Sequence, residues 1–278
     1  AGPAEGWALA TGASAGLGAE LARALVQGGH GLHVAGLVLV ARRAERLEAL
    51  KAELSAAAER AGRPCSVRVV EADLSDRERG VRSVLEAVKD VEVDLLINCA
   101  GLAAGCGNFD GADGDRLEAE LEVNVRAPML LARALLPGMI ERGRGRVLNI
   151  ASIASAIPAP FMATYSASKA WIYSWSLALS RELASTPVTV TCYCPGHLQT
   201  EFDAAAGSEA RKLCRLPGMS EHSVGKVAAH ALASAARGRR WATNGWGNWL
   251  NIMTAGLLPL KLLLAAAALL QRTPGCRA

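Results

Sequence analysis

A serine, a tyrosine and a lysine stand at Ser152, Tyr165 and Lys169 in the run SIASAIPAPFMATYSASK. From Tyr165 onward, YSASKAWIYSWSLALSREL has helical character, and residues four apart share one helix face. Tyr165 and Lys169 then set an ammonium beside a phenol. A neighbouring cation favours phenolate and lowers the phenol pKa from its reference of about 10. A phenol tuned in this way can give or take a proton near neutral pH. Ser152 closes the apolar run RVLNIAS and can donate a hydrogen bond to a substrate oxygen. Together the three describe a carbonyl/alcohol redox site in which serine polarises, tyrosine moves the proton and lysine tunes. A YxxxK pair also arises by chance in helices, with the tyrosine packed and the lysine solvated. The rest of the chain has to supply the context.

That context begins with WALAT, Trp7 to Thr11, a short buried strand followed by TGASAGLG and the helical pattern AELARALVQGG. A glycine-rich turn between strand and helix is the setting in which such a motif binds a dinucleotide. Gly12 allows the tight turn, Gly16 lets backbone approach a pyrophosphate, and Gly18 lets the helix pack close to the sheet. The helix N-terminus adds free N–H groups and the positive end of its dipole. Ser14, Ala15 and Leu17 complete the expected cradle. The next strand, LVLVA from Leu37 to Ala41, ends in Arg42 and Arg43. An acidic residue there would bind a ribose 2′-hydroxyl, whereas arginines suit a 2′-phosphate, so NADP(H) is the expected cofactor. Arg43 also reads as the start of a solvated helix, an alternative less suited to Arg42. The link HGLHVAG before Leu37 is longer than such links need, and is read as a surface bulge.

Further along, Ser66 to Val70 reads as a strand, followed by Asp73 and Leu74 at the expected adenine end; Asp76 suits the N-cap of the next helix. VDLLINCAG, Val93 to Gly101, is another apolar strand, and Asn98, Ala100 and Gly101 leave room for a cofactor at its carboxyl end. AGLAAGCGNFDGADGD is a glycine-rich loop over the same edge. LEAELEVNVRAPMLLARALLPGMI reads as one long helix with Asn124 inside it, where asparagine is a poor helix former. Asn124 either satisfies a local carbonyl or kinks the helix and holds a water behind Lys169. GRVLNIAS and PVTVTCYCPGHLQT supply two more strands, the second ending in Pro195 and Gly196 with Leu198 and Thr200 beyond; RWAT is a candidate last strand.

Six rounds of strand–helix alternation imply an α/β fold, a doubly wound, mostly parallel sheet of about seven strands with helices on both faces. The glycine motif, Asn98, Ser152 and Pro195 all fall at strand carboxyl ends, where ligands bind in such sheets. Residues 1–244 are expected to form one catalytic domain with a lid at about 202–222, and residues 245–278 an apolar extension. The tract from Leu257 to Leu270 is broken by Pro259 and Lys261 and is shorter than the ~20 residues a membrane span needs. It would pack on the domain, cover the substrate pocket or lie on a membrane surface. Leu102, Ile157, Phe161, Met162 and Phe202 are the expected substrate wall, which points to an apolar substrate.

The 278 residues are 51% hydrophobic but only 4% aromatic, so the core must be Ala, Leu and Val. The net charge of +4 is dispersed, which excludes a nucleic-acid stripe. Seven cysteines without a CxxC read as reduced thiols in a cytoplasmic protein with no metal site. The sequence begins at Ala1 rather than Met, which leaves room for an upstream targeting peptide.

From Trp7 to Ala236 these motifs resemble the short-chain dehydrogenase/reductase family. TGASAGLG is similar to its TGxxxGxG turn, NCAG to its NNAG with Cys99 in place of the second asparagine, and PGHLQT to its PGxxxT. Asn124, Ser152, Tyr165 and Lys169 match its catalytic tetrad in order and spacing. The resemblance implies a single Rossmann-type domain, hydride transfer at nicotinamide C4, and a homodimer or homotetramer. It also implies that Lys169 holds the nicotinamide ribose and that Asn124 keeps a water in the proton relay. The expected activity is NADPH-dependent reduction of an apolar ketone or aldehyde. Alternatives are oxidation of a steroid or lipid alcohol, a non-catalytic NADP(H) sensor, or a protein anchored on a membrane surface by its tail.

Overall fold

The apolar runs become strands of one sheet in the computed structural model, which describes residues 6–28, 30–63, 65–202, 223–255, 257 and 259–271. The strands are β1 (Trp7–Thr11), β2 (Gly36–Ala41), β3 (Ser66–Glu71), β4 (Val93–Asn98), β5 (Arg146–Ile150), β6 (Thr189–Cys194) and β7 (Trp241–Thr243). Their order is β3-β2-β1-β4-β5-β6-β7, and every pairing is parallel. Such a sheet is covered on both faces, so its strands must be apolar throughout rather than alternating. In β1, Ala8 and Ala10 enter the core on one face and Leu9 the core on the other.

One face is packed by α1 (Gly16–Gln27), α2 (Ala44–Arg60) and α7 (Val224–Ala236), through Leu21, Leu25, Leu47, Leu54 and Leu232. The other face carries α3 (Gly80–Glu86), α5 (Ala127–Glu141) and α6 (Ala163–Glu182), through Val84, Leu131 and Met139 with Trp175 against them. The direction of winding reverses between β1 and β4, and their carboxyl ends open the crevice in which ligands of such sheets bind.

Three local readings change. The expected long helix is α4 (Gly114–Leu121), a π-helical turn over Glu122–Arg126, and then α5. The extra residue in that turn surrounds Asn124, and π-bulges of this kind concentrate at functional sites. β4 stops at Asn98 instead of running to Gly101, because the N–H groups of Cys99 and Ala100 turn to the Thr11 hydroxyl at 3.1 and 3.0 Å. The link before β2 is no surface bulge at its start. His30 and Leu32 are buried, and His30 Nε2 lies 2.8 Å from the Ala24 carbonyl at the end of α1.

After β7 come α8 (Trp246–Thr254) and α9 (Leu260–Gln271). Ile252 of α8 shares a core with Ala151, Ile153 and Ile172, so this part of the chain packs directly behind the segment that carries Ser152. Residues 203–222, which hold most of the expected lid, lie outside the described residues. Among the described residues no helix is long and apolar enough to cross a membrane.

Candidate active site

A cleft of about 650 Å³ lies along the carboxyl ends of the strands, within the usual range for a small-molecule or cofactor site. Its floor at one end is the glycine turn. Gly12 and Gly16 have φ of +70° and +53°, the left-handed region that costs an L side chain energy. A Cβ on Gly12 would sit 2.8 Å from Ala100 Cα, and one on Gly16 3.3 Å from the Thr200 side chain. Helix α1 starts at Gly16 with no side-chain cap and no acidic residue in its first turn. Ser14, Ala15, Gly16, Leu17 and Gly18 all line the cleft. Uncapped N–H groups at a helix N-terminus, beside two glycines that leave space for backbone approach, fit a pyrophosphate.

The arginines at the end of β2 both face the same cleft. Arg43 does not simply open a solvated helix. Its guanidinium donates to Ser14 Oγ at 3.2 and 3.1 Å and to Glu201 at 2.7 Å. Glu201 also accepts from Arg46, and the two arginines hold its carboxyl below the usual carboxylate range. Arg42 Nη1 is 3.9 Å from Asp73 Oδ2. The other oxygen of Asp73 accepts from the N–H and hydroxyl of Ser75, so Asp73 shapes its own turn with one oxygen and faces Arg42 with the other. Leu74 lines the cleft beside it.

At the opposite end, Ser152, Tyr165 and Lys169 come together as the spacing predicts, and all three line the cleft. Tyr165 and Lys169 sit one turn apart on α6, with Nζ 5.9 Å from the tyrosine ring centroid. Lys169 is buried, and its Nζ donates to the Ile150 carbonyl at 3.1 Å. Burial pulls its pKa below the ordinary lysine value, opposed chiefly by Cys99 and also by Glu120. Ser152 Oγ accepts from the Ala154 N–H at 3.1 Å, which leaves its hydroxyl proton as the donor toward the cleft. The Tyr165 ring packs on Phe202 with centroids 5.5 Å apart.

Asn124 and Asn98 stand one layer deeper, around a small inner cavity shared with Thr11 and Lys169. Asn124 accepts from Leu102 N–H at 2.9 Å and donates to Leu102 O at 2.8 Å and Ser168 Oγ at 3.0 Å. Ser168 in turn donates to the Tyr165 carbonyl. Both N–H donors of Asn124 are therefore used by the protein, and its side chain ties the Leu102 loop to the tyrosine helix. Asn98 donates to Asn149, and Asn149 to Ser176 on α6. It braces the floor rather than lining the cleft.

The remaining wall comes from late in the chain. Pro195 accepts from Ile153 N–H, and Gly196 N–H donates to Asn244 Oδ1 at 2.9 Å. A Cβ on Gly196 would strike the Asn248 amide at 2.3 Å. Leu263, Ala266 and Ala267 of α9 roof the cleft beside Asn251 of α8. Of the expected substrate residues, Leu102, Ile157 and Phe202 line the cleft and Phe161 and Met162 do not. Met162 is buried against Tyr165 and Ala159. Phe161, at φ +67°, accepts from Gly107 N–H and closes the loop. Cys65, Cys99, Cys106, Cys192 and Cys194 are in no disulfide. Cys192 and Cys194 share one face of β6 with sulfurs 4.0 Å apart, about twice a disulfide bond length.

Several site residues carry no signal in the sequence. Asn244 and Asn248 hold Gly196. Glu120 looks like any charge on an amphipathic helix, yet it is buried and accepts from the Ala104 N–H at 2.6 Å. Burial raises its carboxyl pKa.

Residues 6–211 match the family model described as short chain dehydrogenase. The chain is 33% identical over 213 residues to a very-long-chain 3-oxoacyl-CoA reductase of Phaeosphaeria nodorum, covering 76% of this chain and 59% of that protein. It thus spans well under two thirds of that relative's length. It is 36% identical over 200 residues to the NADP-dependent 3-hydroxy acid dehydrogenase YdfG of Salmonella typhi, covering 70% of this chain and 74% of that protein. A short-chain dehydrogenase from Sphingobium yanoikuyae, solved in complex with NADPH, superposes with a TM-score of 0.76 at 29% identity. That match covers 91% of this chain and 94% of the other.

Proposed function

The chain belongs to the short-chain dehydrogenase family, and we propose that it is an NADPH-dependent reductase of apolar ketones or aldehydes. The observation that carries this reading is one continuous cleft. It joins the Arg42–Arg43 pair and the glycine turn to Ser152, Tyr165 and Lys169, and ends in the apolar side chains Ile153, Ile157 and Leu263. Arg42 and Arg43 would hold a 2′-phosphate, Gly12 to Gly18 the pyrophosphate, and Lys169 with Pro195 to Thr200 the nicotinamide end. NADPH in the Sphingobium protein and the 3-oxo and 3-hydroxy substrates in the names of the two relatives support the same reading.

When bound, the nicotinamide supplies a hydride to the carbonyl carbon. The chain handles the oxygen. Ser152 donates a hydrogen bond to it, which orients the carbonyl and favours negative charge as it develops there. Tyr165 gives its proton to that oxygen and is left as phenolate. The buried Lys169 ammonium stabilises that phenolate, because a cation in a site shielded from water acts more strongly than in solvent. The Asn124–Ser168 link fixes the helix turn that carries Tyr165. Phe202 packs on the Tyr165 ring and Leu263 and Ala267 of α9 roof the same cleft, so they would shield the reacting oxygen.

The first test is a fluorescence titration of NADPH and NADH against the wild-type chain, Arg42→Ala and Arg43→Ala. Tight NADPH, weak NADH and loss of the preference in the variants are expected, followed by NADPH consumption with an apolar ketone. Equal affinity for both cofactors would overturn the NADPH assignment. Binding of neither would overturn the enzyme reading as a whole.

A further inference from the structure

Helix α8 packs one face on the domain and turns large apolar side chains outward on the other. Gly247, Asn248, Ile252 and the following Ala255 are buried against the domain. Trp246, Trp249, Leu250 and Met253 repeat at i, i+3, i+4 and i+7 and are 66%, 51%, 44% and 40% exposed. Helix α9 repeats the arrangement. Leu263 and Ala267 close the cleft while Leu260, Leu262 and Leu269 are exposed, with Leu257 just ahead of them. A helix on a water-facing surface ordinarily turns polar residues outward. Large apolar side chains clustered on an outer face mark an interaction surface.

The charge around these helices says what the partner is. From Ser223 to the end, the sequence has seven Lys and Arg and no Asp or Glu, while the remaining residues carry 23 basic against 26 acidic side chains. Lys261 is exposed between Leu260 and Leu262. Lys261 thus sets a positive charge within the exposed apolar stripe of α9. Tryptophan with leucine on the apolar side and Lys/Arg beside it is the composition of helices that lie in the boundary of an anionic bilayer. α9 has 12 residues, about 18 Å of helix against about 30 Å of hydrocarbon, so it fits along a membrane and not through one.

We propose that α8 and α9 form a docking surface for an anionic lipid bilayer. α9 then lies between the bilayer and the cleft, with Leu262 and Leu269 toward lipid and Leu263 and Ala267 toward the substrate. An apolar substrate could reach the cleft from the bilayer past this roof. Docking rests on the outer faces of the two helices and is read without turnover, so it stands or falls apart from the reductase reading.

The full chain is sedimented with vesicles of phosphatidylcholine alone and of phosphatidylcholine mixed with phosphatidylserine, at low and high salt. It is expected to pellet with the anionic vesicles and to release as salt rises, with a blue shift of tryptophan emission on binding. Trp246→Ser with Trp249→Ser should lower partitioning by roughly tenfold or more. Lys261→Glu should lower it by roughly tenfold on anionic vesicles alone. Unchanged thermal melting of both variants shows that the fold is intact. A chain that stays in the supernatant with both vesicle types at low salt overturns the proposal. So does a tryptophan variant that pellets like wild type. Docking on lipid is also overturned if sedimentation velocity shows a dimer that the tryptophan variant alone dissolves, since a second copy then covers the face.

Discussion

The two ends of the cleft are built by different means. Around β1 and β4 the walls are backbone and small residues, held by buried polar groups that satisfy one another: Thr11 on the Cys99 and Ala100 amides, Asn98 on Asn149, Asn124 on Leu102 and Ser168. Around β6 and β7 the walls are side chains brought in by α8 and α9, with Phe202 against Tyr165 and Leu263 and Ala267 overhead. The first end can place a rigid, charged ligand at fixed atoms. The second encloses whatever apolar group fits it. The difference teaches that the placing of a charged ligand and the enclosing of an apolar one reside on separate parts of one chain, so a change at one end should leave the other measurable.

The largest effect is expected at the catalytic edge. Tyr165→Phe should lower kcat by about a thousandfold, the range of a lost proton donor, while NADPH affinity stays within about twofold. Stopped-flow turnover beside a binding titration separates the two, and a mutant with wild-type kcat would remove the proton role. Next comes Gly12→Val, where a branched side chain meets φ +70° and Ala100 Cα 2.8 Å from its Cβ. It should destabilise the fold by about 1–3 kcal/mol and weaken NADPH by at least tenfold, read by denaturant melts with and without cofactor. Retained tight NADPH binding would show that the glycine turn is not the pyrophosphate cradle.

Arg43→Ala should weaken NADPH about tenfold and NADH little, since only the former carries the phosphate that a charged hydrogen bond would meet. Leu263→Ala should raise KM for an apolar ketone by roughly five- to tenfold with NADPH affinity unchanged. A fall in cofactor affinity as well would join the two ends that the structure separates.

The smallest effect tests the loop brace. Burial holds the Glu120 pKa above its usual 4.5, so the folded state binds this proton more tightly than the unfolded chain does. The stability it contributes is complete below the unfolded value and is lost as pH rises through the raised folded value. Urea midpoints of the wild type should therefore fall as pH climbs out of that window toward neutrality. Glu120→Gln, which keeps an acceptor for Ala104, should show a shallower fall over the same range. Identical slopes would place Glu120 in contact with water.

The glycine turn and the Tyr165–Lys169 pair are legible in the sequence because their requirements are local. A strand, a glycine turn and a helix follow one another in TGASAGLG, and the i, i+4 relation of Tyr165 to Lys169 needs nothing but a helix. The second end is less legible. Nothing in NGWGN shows that Asn244 and Asn248 will grip Gly196, nearly fifty residues away. Phe161 and Met162 suit a substrate wall by residue type, being large and apolar. The structure turns Met162 beneath Tyr165 and uses Phe161 to close a loop, since burial depends on the direction a chain leaves a turn and not on residue type.

The sequence by itself determined the parallel α/β layering, the glycine cradle, the arginines after β2 and the order of the Ser–Tyr–Lys group, because periodicity, backbone freedom and charge act over a few residues. Only the tertiary structure decided that Arg43 reaches Ser14, that Glu120 is buried, that Asn124 braces rather than lines the cleft, and that the tail roofs the site with one face while exposing the other. Those outcomes depend on which elements meet across the sheet, and contacts between residues far apart in sequence leave no pattern in either local segment.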